Sequence, residues 1–374
     1  MDARDRCARP AARRLHAERR LAIEPITATV VNYNGMHSIE ACVRSLTELS
    51  PEPAEIIVID NASTDGSREL IAARFPGVRI VALQENLGPC VARNRGLEEA
   101  RTRLVYQVDG DVISTRDCLA QLAQEVIARP SVALAQPRVL FDGDRERIHY
   151  DGAYFHYAGV MTLRHFYARA DGAAALVQPV DAVISAALLV DRLRVLAIGG
   201  YDPVFFILYE DHELSYRVRL QGWQILIVPQ ALVYHREGTV GVSYRRGPQY
   251  PCRRVYLQNR NRWLTLYKCH RWRTLVLSLP GIALFELVWL AFAIQQGCGR
   301  SYFKGKWDAV CLLPRLRSVR REIQRARVLR DRELLGSRPL TFTPLIQRGA
   351  LARLVERFLN ASLALWWWLV RRAC

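Results

Sequence analysis

The chain has 374 residues, half of them apolar, which supplies a large core in one or two domains and excludes a disordered chain or a small stapled fold. Its net charge of +17 is unevenly held: residues 26–240 carry 20 Lys and Arg against 26 Asp and Glu, whereas residues 241–374 carry 26 against 6. Nine cysteines without C-x-x-C pairs or regular spacing argue against a zinc site and a disulfide framework, so reduced thiols and no structural metal are expected.

Residues 1–25 are Arg-rich and lack an apolar run, so they read as a basic extension rather than a secretory signal, with the catalytic part expected in the cytosol. From Ile26 onward, β-type runs at 27–32, 56–60, 78–83 and 103–108 alternate with helical segments at 38–48, 67–74 and 91–100. That alternation predicts βαβ units and an α/β fold, with a parallel sheet covered on both faces. Polar residues gather at the carboxyl ends of the strands: Asn32-Tyr33-Asn34, Asp60-Asn61, Asn86, and Asp109 with Asp111. In open α/β sheets that edge is where ligands bind.

No G-x-G-x-x-G follows the first strand and no Walker lysine loop occurs, so a bound diphosphate lacks a glycine-rich cradle. Asp109-Gly110-Asp111 offers another grip. Two carboxylates at a strand end hold a hard cation, Mg²⁺ or Mn²⁺, and leave positions open for substrate phosphates. The same residues also make ordinary solvated turns.

Further on, Glu210-Asp211-His212-Glu213 concentrates like charge, which raises a carboxyl pKa and suits a general base. Acids also favour a helix start, and Glu213 with Arg217 fits an i,i+4 pair, the reading taken for Glu213. His235 follows a strand-like 225–228 and a turn at Pro229, and both a structural and a ligating role stay open. Asp65 and Ser67 read as a turn and a helix cap, outside any site. Arg93 either reaches a phosphate or caps its helix surface.

The stretches Val30-Val31-Asn32-Tyr33-Asn34, Ile57–Ser67 (IVIDNASTDGS), Asn86-Leu87-Gly88 with Ala92-Arg93-Asn94-Arg95-Gly96, and Gly199-Gly200-Tyr201-Asp202 leading to Tyr209-Glu210-Asp211-His212-Glu213-Leu214 resemble the family 2 glycosyltransferases, particularly bacterial rhamnosyltransferase-like members. The resemblance covers roughly residues 26–245 and implies a GT-A fold, a mixed, mostly parallel sheet that binds a nucleotide sugar. It also implies inverting, metal-dependent transfer from a UDP- or dTDP-sugar to a glycan or lipid-linked acceptor. By position, Tyr33 and Asp60 match base contacts, Asp109 a place near the ribose and diphosphate, and Asp111 the metal ligand. Asp211, with Glu210 beside it, matches the catalytic base, and His235 a histidine that completes the metal and diphosphate site. Asn32, Asn86 and Arg93 are taken as further donor contacts. Two departures stand out: Ser185 occupies a position where the family has glycine, which narrows the donor pocket, and Gly110 loosens the D-G-D loop. The processive Q-x-x-R-W motif fails by one residue between Gln258 and Arg262-Trp263, and Arg260-Asn261-Arg262 fits the non-processive pattern, so one sugar per event is expected.

Residues 246–374 read as a basic, hydrophobic helical region. The run 274–294 is nearly all apolar and about 30 Å long as a helix, enough to cross a bilayer. Pro280, Glu286 and basic residues on both flanks leave a span and an interface-lying helix equally open. Leu312, Leu316, Val319, Ile323 and Ala326 form the stripe of a basic amphipathic helix, lying on a membrane or on the catalytic domain. Residues 358–370 hold Trp366-Trp367-Trp368 beside Arg371 and Arg372, an interfacial composition. The expected partner is therefore the anionic membrane surface, at the cytoplasmic face of the plasma membrane. Nucleic acid is not expected, because the basic segments lack interleaved aromatics. The alternative is a non-catalytic nucleotide-sugar-binding or scaffold protein of the same fold.

Overall fold

A computed structural model describes residues 24–236, 238, 242–243, 250–342 and 349–374; residues 1–23 of the expected basic extension, and the expected boundary at residue 245, lie outside them. In chain order the first half comprises β1 (Ile26–Asn32), α1 (Ile39–Thr47), β2 (Glu55–Asp60), α2 (Ser67–Arg74), β3 (Arg79–Ala82), α3 (Gly88–Glu99), β4 (Leu104–Asp109), β5 (Val112–Ser114), α4 (Cys118–Ala128), β6 (Val132–Phe141) and β7 (Asp144–Tyr150). It continues through β8 (Ala153–His156), β9 (Val160–Leu163), β10 (Gln178–Val180), β11 (Ala187–Asp191), α5 (Arg192–Ala197), α6 (Glu210–Leu220) and β12 (Gln224–His235). The described helices after β12 are α7 (Cys252–Cys269), α8 (Trp272–Gln295), α9 (Gly299–Leu312), α10 (Arg317–Ala326), α11 (Asp331–Leu334) and α12 (Ala350–Val370).

The first four strands form a parallel block in the order β3-β2-β1-β4. Their apolar runs are nearly continuous because helices cover both faces: Val58 packs with Ile39, Val43 and Leu46 of α1, while Ile57 and Ile59 face Ala92 of α3. Beyond β4 the sheet changes direction. Strand β11 runs antiparallel to both β4 and β6, and β12 then runs parallel to β6, giving a mixed ten-stranded sheet. The far end of β12 bends onto β5, which pairs His235 with Val112.

Three expectations are corrected. Residues 225–228 are not a short strand ended by a Pro229 turn; one strand runs from Gln224 to His235, and Pro229 sits in the irregular register between Val228 and Leu232. Proline has no N–H for the ladder, so a bulge is where a strand tolerates it. The thiols are not all reduced: Cys252 and Cys298, 46 residues apart, form a disulfide where the starts of α7 and α9 meet. That meeting is tertiary and leaves no local spacing to read. The stripe from Leu312 is interrupted at Pro314 by a single turn of 3₁₀ helix, Leu313–Leu316, before α10 begins.

Helices α7, α9 and the following turn share a core with the sheet: Leu264, Ala309 and Leu316 pack with Val183, Leu214 and Val218. Side chains of α10 cap the end of α7, with Gln324 Nε2 donating to the Lys268 and Cys269 carbonyls and Arg320 to that of His270. The domain-packed reading of α10 is therefore the one observed. Helix α8 passes through Pro280 without a break, and at Gly281 a side chain would collide with the Tyr157 hydroxyl, so glycine permits that close approach.

A buried charge network locks α6 to α7. Glu213, fully buried, accepts from Arg217 at 2.7 Å and lies 2.5 Å from Lys268 Nζ, which also pairs with Asp202. Burial by itself would raise the Glu213 carboxyl, but Arg217 and Lys268 more than offset it and hold it at about 2. Because the folded value lies below the ordinary one, the network stabilises the fold above the unfolded carboxyl's range and loses that contribution as pH falls toward about 2. Lys268→Met leaves two carboxylates short of a cation, and we expect a loss of about 3 kcal/mol in urea unfolding at pH 7. The gap from wild type should narrow as pH is lowered below 4.

Candidate active site

The carboxyl ends of β1, β2 and β4, the loop before α6 and the end of β12 enclose one open cleft of about 1610 Å³. Asn32, Tyr33, Asn86, Arg93, Asp109, Asp111, Glu210, Asp211 and His235 all line it. Asp60 does not. Its side chain, expected at the base, is fully buried behind the lining, accepting from Asn32 Nδ2 at 2.8 Å and from the Ser63 amide at 3.2 Å, and so shapes the loop after β2. Asn86 also builds the wall: its Oδ1 accepts from Asn61 Nδ2 at 2.9 Å and the Gly88 amide at 3.0 Å. Tyr33 is half exposed at the rim. Asp65 accepts from the Met36 and Ser67 amides, a turn role as expected.

Arg93 decides the arrangement. It neither reaches outward for a phosphate nor caps its own helix. From α3 its Nη2 donates to both Asp109 oxygens, at 2.8 and 3.1 Å, and its Nη1 to Glu210 Oε1 at 3.0 Å. Burial would strip its proton, but the two carboxylates hold it charged, well above the ordinary arginine range. Asp109 and Glu210 in turn are raised by burial, with Arg93 opposing. Asp211, next in sequence and partly exposed to the cleft, makes no ion pair among the described residues; burial and the Glu210 charge push its carboxyl up to about 7, with Arg93 opposing.

The other end of the cleft is built by strand pairing. The β5–β12 register, with the Arg236 amide donating to the Asp111 carbonyl, places His235 Nε2 3.3 Å from Asp111 Oδ2. His149, which sequence reasoning missed, stacks on His235 with the two Nδ1 atoms 3.0 Å apart; it lies on β7 with no motif around it to mark it. One of those nitrogens donates and the other accepts. Of the three expected metal ligands, Asp109 is bonded to Arg93 while Asp111 and His235 lie side by side; among the described residues no three His, Cys, Asp or Glu side chains converge on one ion position. A carboxylate and an imidazole at that spacing still fit a hard cation whose other ligands are phosphate oxygens and water. Gly110 is tight, not loose: a Cβ there would lie 3.0 Å from the Val31 carbonyl and 3.1 Å from Ile39, so glycine lets the loop close over β1. Ser185 is buried and lines the cleft.

A family model for "Glycosyl transferase family 2" matches residues 27–179, and one for "Glycosyl transferase family group 2" matches residues 104–302, more than half of the chain. The chain belongs to the family 2 glycosyltransferases. It is 28% identical over 235 residues to the N-acetylglucosaminyl-diphospho-decaprenol L-rhamnosyltransferase of Mycobacterium tuberculosis, covering 57% of this chain and 76% of that one. It is 26% identical over 216 residues to the poly-beta-1,6-N-acetyl-D-glucosamine synthase of Staphylococcus aureus, covering 57% and 50%. Among solved structures it resembles GalNAc-T7, crystallised with UDP, GalNAc and Mn²⁺, with a TM-score of 0.51 at 17% identity over 64% of this chain and about half, 48%, of that one. This family 2 enzyme is a glycosyltransferase with a GT-A-type fold.

Arg93→Met removes the cation shared by Asp109 and Glu210, and breaking such a buried pair costs about 3–5 kcal/mol. We expect that loss in denaturant unfolding, with sugar transfer abolished in the protein that stays folded. Arg93→Lys should restore part of the stability and little of the transfer, because one ammonium lacks the planar fork that serves two carboxylates.

Proposed function

We propose that this enzyme transfers one sugar per event, with inversion, from a nucleoside diphosphate sugar to a hydroxyl of a lipid-linked or cell-envelope glycan acceptor, using Mg²⁺ or Mn²⁺. One observation carries the reading: a single cleft holds the Asp111–His235 pair and the partly exposed carboxyl of Asp211, raised to about 7. Asp111 and His235 would hold the cation together with the diphosphate. When bound, the ion neutralises the leaving diphosphate and orients it. Asn32, Tyr33 and Asn86 bound the donor side. Asp211 accepts the acceptor proton, while Glu210, bonded to Arg93, fixes the start of α6. The same cleft continues past Tyr250, Arg253 and Arg254 to Val288, Trp289 and Phe292 of α8. Basic groups followed by an apolar wall suit a diphosphate-linked lipid, and the Mycobacterium relative's printed name specifies such an acceptor.

Binding of UDP-, dTDP- and GDP-sugars with Mn²⁺, followed by thermal shift, tests the donor. Asp111→Ala should abolish the metal-dependent shift, whereas Asp211→Asn should bind donor nearly as wild type and lose about 10²–10⁴-fold in turnover. Only the unprotonated Asp211 accepts a proton, so kcat/KM should rise with pH up to about 7 and level above it. Near-normal transfer by Asp211→Asn would remove the base assignment.

We also propose that the helical region seats the enzyme on an anionic membrane surface at the cytoplasmic face. Helix α8 is long and apolar enough to cross a membrane, and little of its apolar stretch is buried. Its Glu286, however, accepts from Trp263 Nε1 at 2.8 Å and pairs with Lys306 at 2.8 Å and with Arg262, which ties one face to α7 and α9. Those helices carry too many polar groups for a bilayer core, which favours an interface-lying helix. Leu287, Ile294, Trp307, Phe358 and Trp368 are each more than half exposed on α8, α9 and α12. Full-length protein should stay with membranes in high salt and leave in detergent, and Leu287→Glu with Trp368→Glu should make it salt-extractable. Wild type released by salt alone would leave only electrostatic adsorption.

A further inference from the structure

The loop entering α6 adopts backbone angles that few side chains tolerate. Phe206, Leu208 and Tyr209 have φ of 61°, 67° and 72°, and they line the cleft directly ahead of Glu210 and Asp211. Non-glycine residues stay in that region only where their surroundings hold them. The holding groups come from α7, some fifty residues downstream. Asn261 is fully buried, and its Nδ2 lies 3.0, 3.0 and 2.6 Å from the carbonyls of Phe205, Ile207 and Leu208. Arg260 Nη2 donates to the Val204 and Phe205 carbonyls at 3.0 and 2.9 Å. Its Nε donates to Asn261 Oδ1 at 2.8 Å, which turns the amide so that its N–H bonds face the loop. A second contact fixes the loop from the other side: Gly88 lets the Phe206 ring approach so closely that a Cβ there would lie 2.7 Å from it.

We propose that Asn261, oriented by Arg260, is a positioning residue that holds the left-handed loop 206–209 and so presents Asp211 to the acceptor hydroxyl. The inference rests on Asp211 being the base. An apolar residue of similar volume would fill the same space in α7 but would take the Asn261 bond from the Ile207 and Leu208 carbonyls of a strained segment, leaving Phe205 to Arg260 and the Ile207 amide. The loop would then relax toward ordinary φ values and rotate the first turn of α6. Asp211 moves with that turn. Asn261 and Arg260 bond the loop and not the donor-side residues Asn32 and Asn86, so donor binding should change far less than turnover.

The test is a double-mutant cycle on the full chain with Asn261→Ala and Asp211→Asn, using the nucleotide sugar that gives turnover in the UDP-, dTDP- and GDP-sugar panel. Asn261→Ala alone should lower kcat by about tenfold to a hundredfold, the scale of a misplacement near 1 Å, with the donor dissociation constant within about twofold of wild type. In the Asp211→Asn background it should cost nothing more, because the group it positions is gone. Should Asn261→Ala not fold, Arg260→Gln, at a partly exposed position, withdraws two loop bonds and the amide orientation and runs through the same cycle. A kcat within twofold of wild type, or the same fold-loss in both backgrounds, overturns the proposal while leaving the base assignment standing. Wild-type transfer by Asp211→Asn alone overturns both.

Discussion

Arg93 is buried where an unpaired guanidinium would be untenable, and it is held there because two carboxylates from distant parts of the chain converge on it. Asp109 arrives at the end of β4 and Glu210 at the start of α6, 101 positions later in the numbering. Each needs the cation as much as the cation needs them, since isolated buried charges are costly and matched ones are not. The rest of the cleft follows from that pairing. It fixes the first turn of α6 against the sheet and engages both oxygens of Asp109. It also leaves Asp211 beside the Glu210 carboxylate, so that burial first and that charge second hold its proton up to about 7.

Helix α7 has a comparable role on the other side. Lys268 meets Glu213 and Asp202, Arg262 meets Glu286 of α8, and Asn261 holds the loop before α6. Asn261 and Lys268, two turns apart on one face, and Arg262 on the adjoining one make this helix a joint between the cleft and the apolar helices. The basic excess after residue 240 must therefore be read with care. Lys268, Arg262 and Arg320 are buried structural cations, so the charge this region exposes is smaller than the count suggests. The exposed part of that region is defined more by aromatic and aliphatic residues on α8, α9 and α12 than by arginines.

The four parallel strands were legible within a residue and their crossover helices within three, because continuous apolar runs bounded by polar strand ends are local signals. The Glu213–Arg217 pair was legible for the same reason, being one helical turn apart. The placement of His235 was not. Its approach to Asp111 depends on β12 running past Pro229 and on its register against β5, neither of which the residues around it encode. Arg93 was read as reaching a phosphate or capping its helix surface, whereas its two partners are set by topology. The disulfide between Cys252 and Cys298 escaped for a related reason: helix ends separated by 46 residues meet only after α8 folds back.

The sequence by itself marked the strands and the candidate polar motifs, since hydrophobic period, turn composition and motif identity act over a few residues and survive in the linear chain. It marked both acidic motifs and the family they resemble. Only the tertiary structure decided how those residues are used: Asp60 behind the wall, Asp109 bonded to an arginine, Asp111 beside His235, Glu286 turned toward α7 instead of lipid. The reason is electrostatic. A carboxylate's role depends on which cation and how much solvent surround it, and those neighbours come from segments that the chain brings together only on folding.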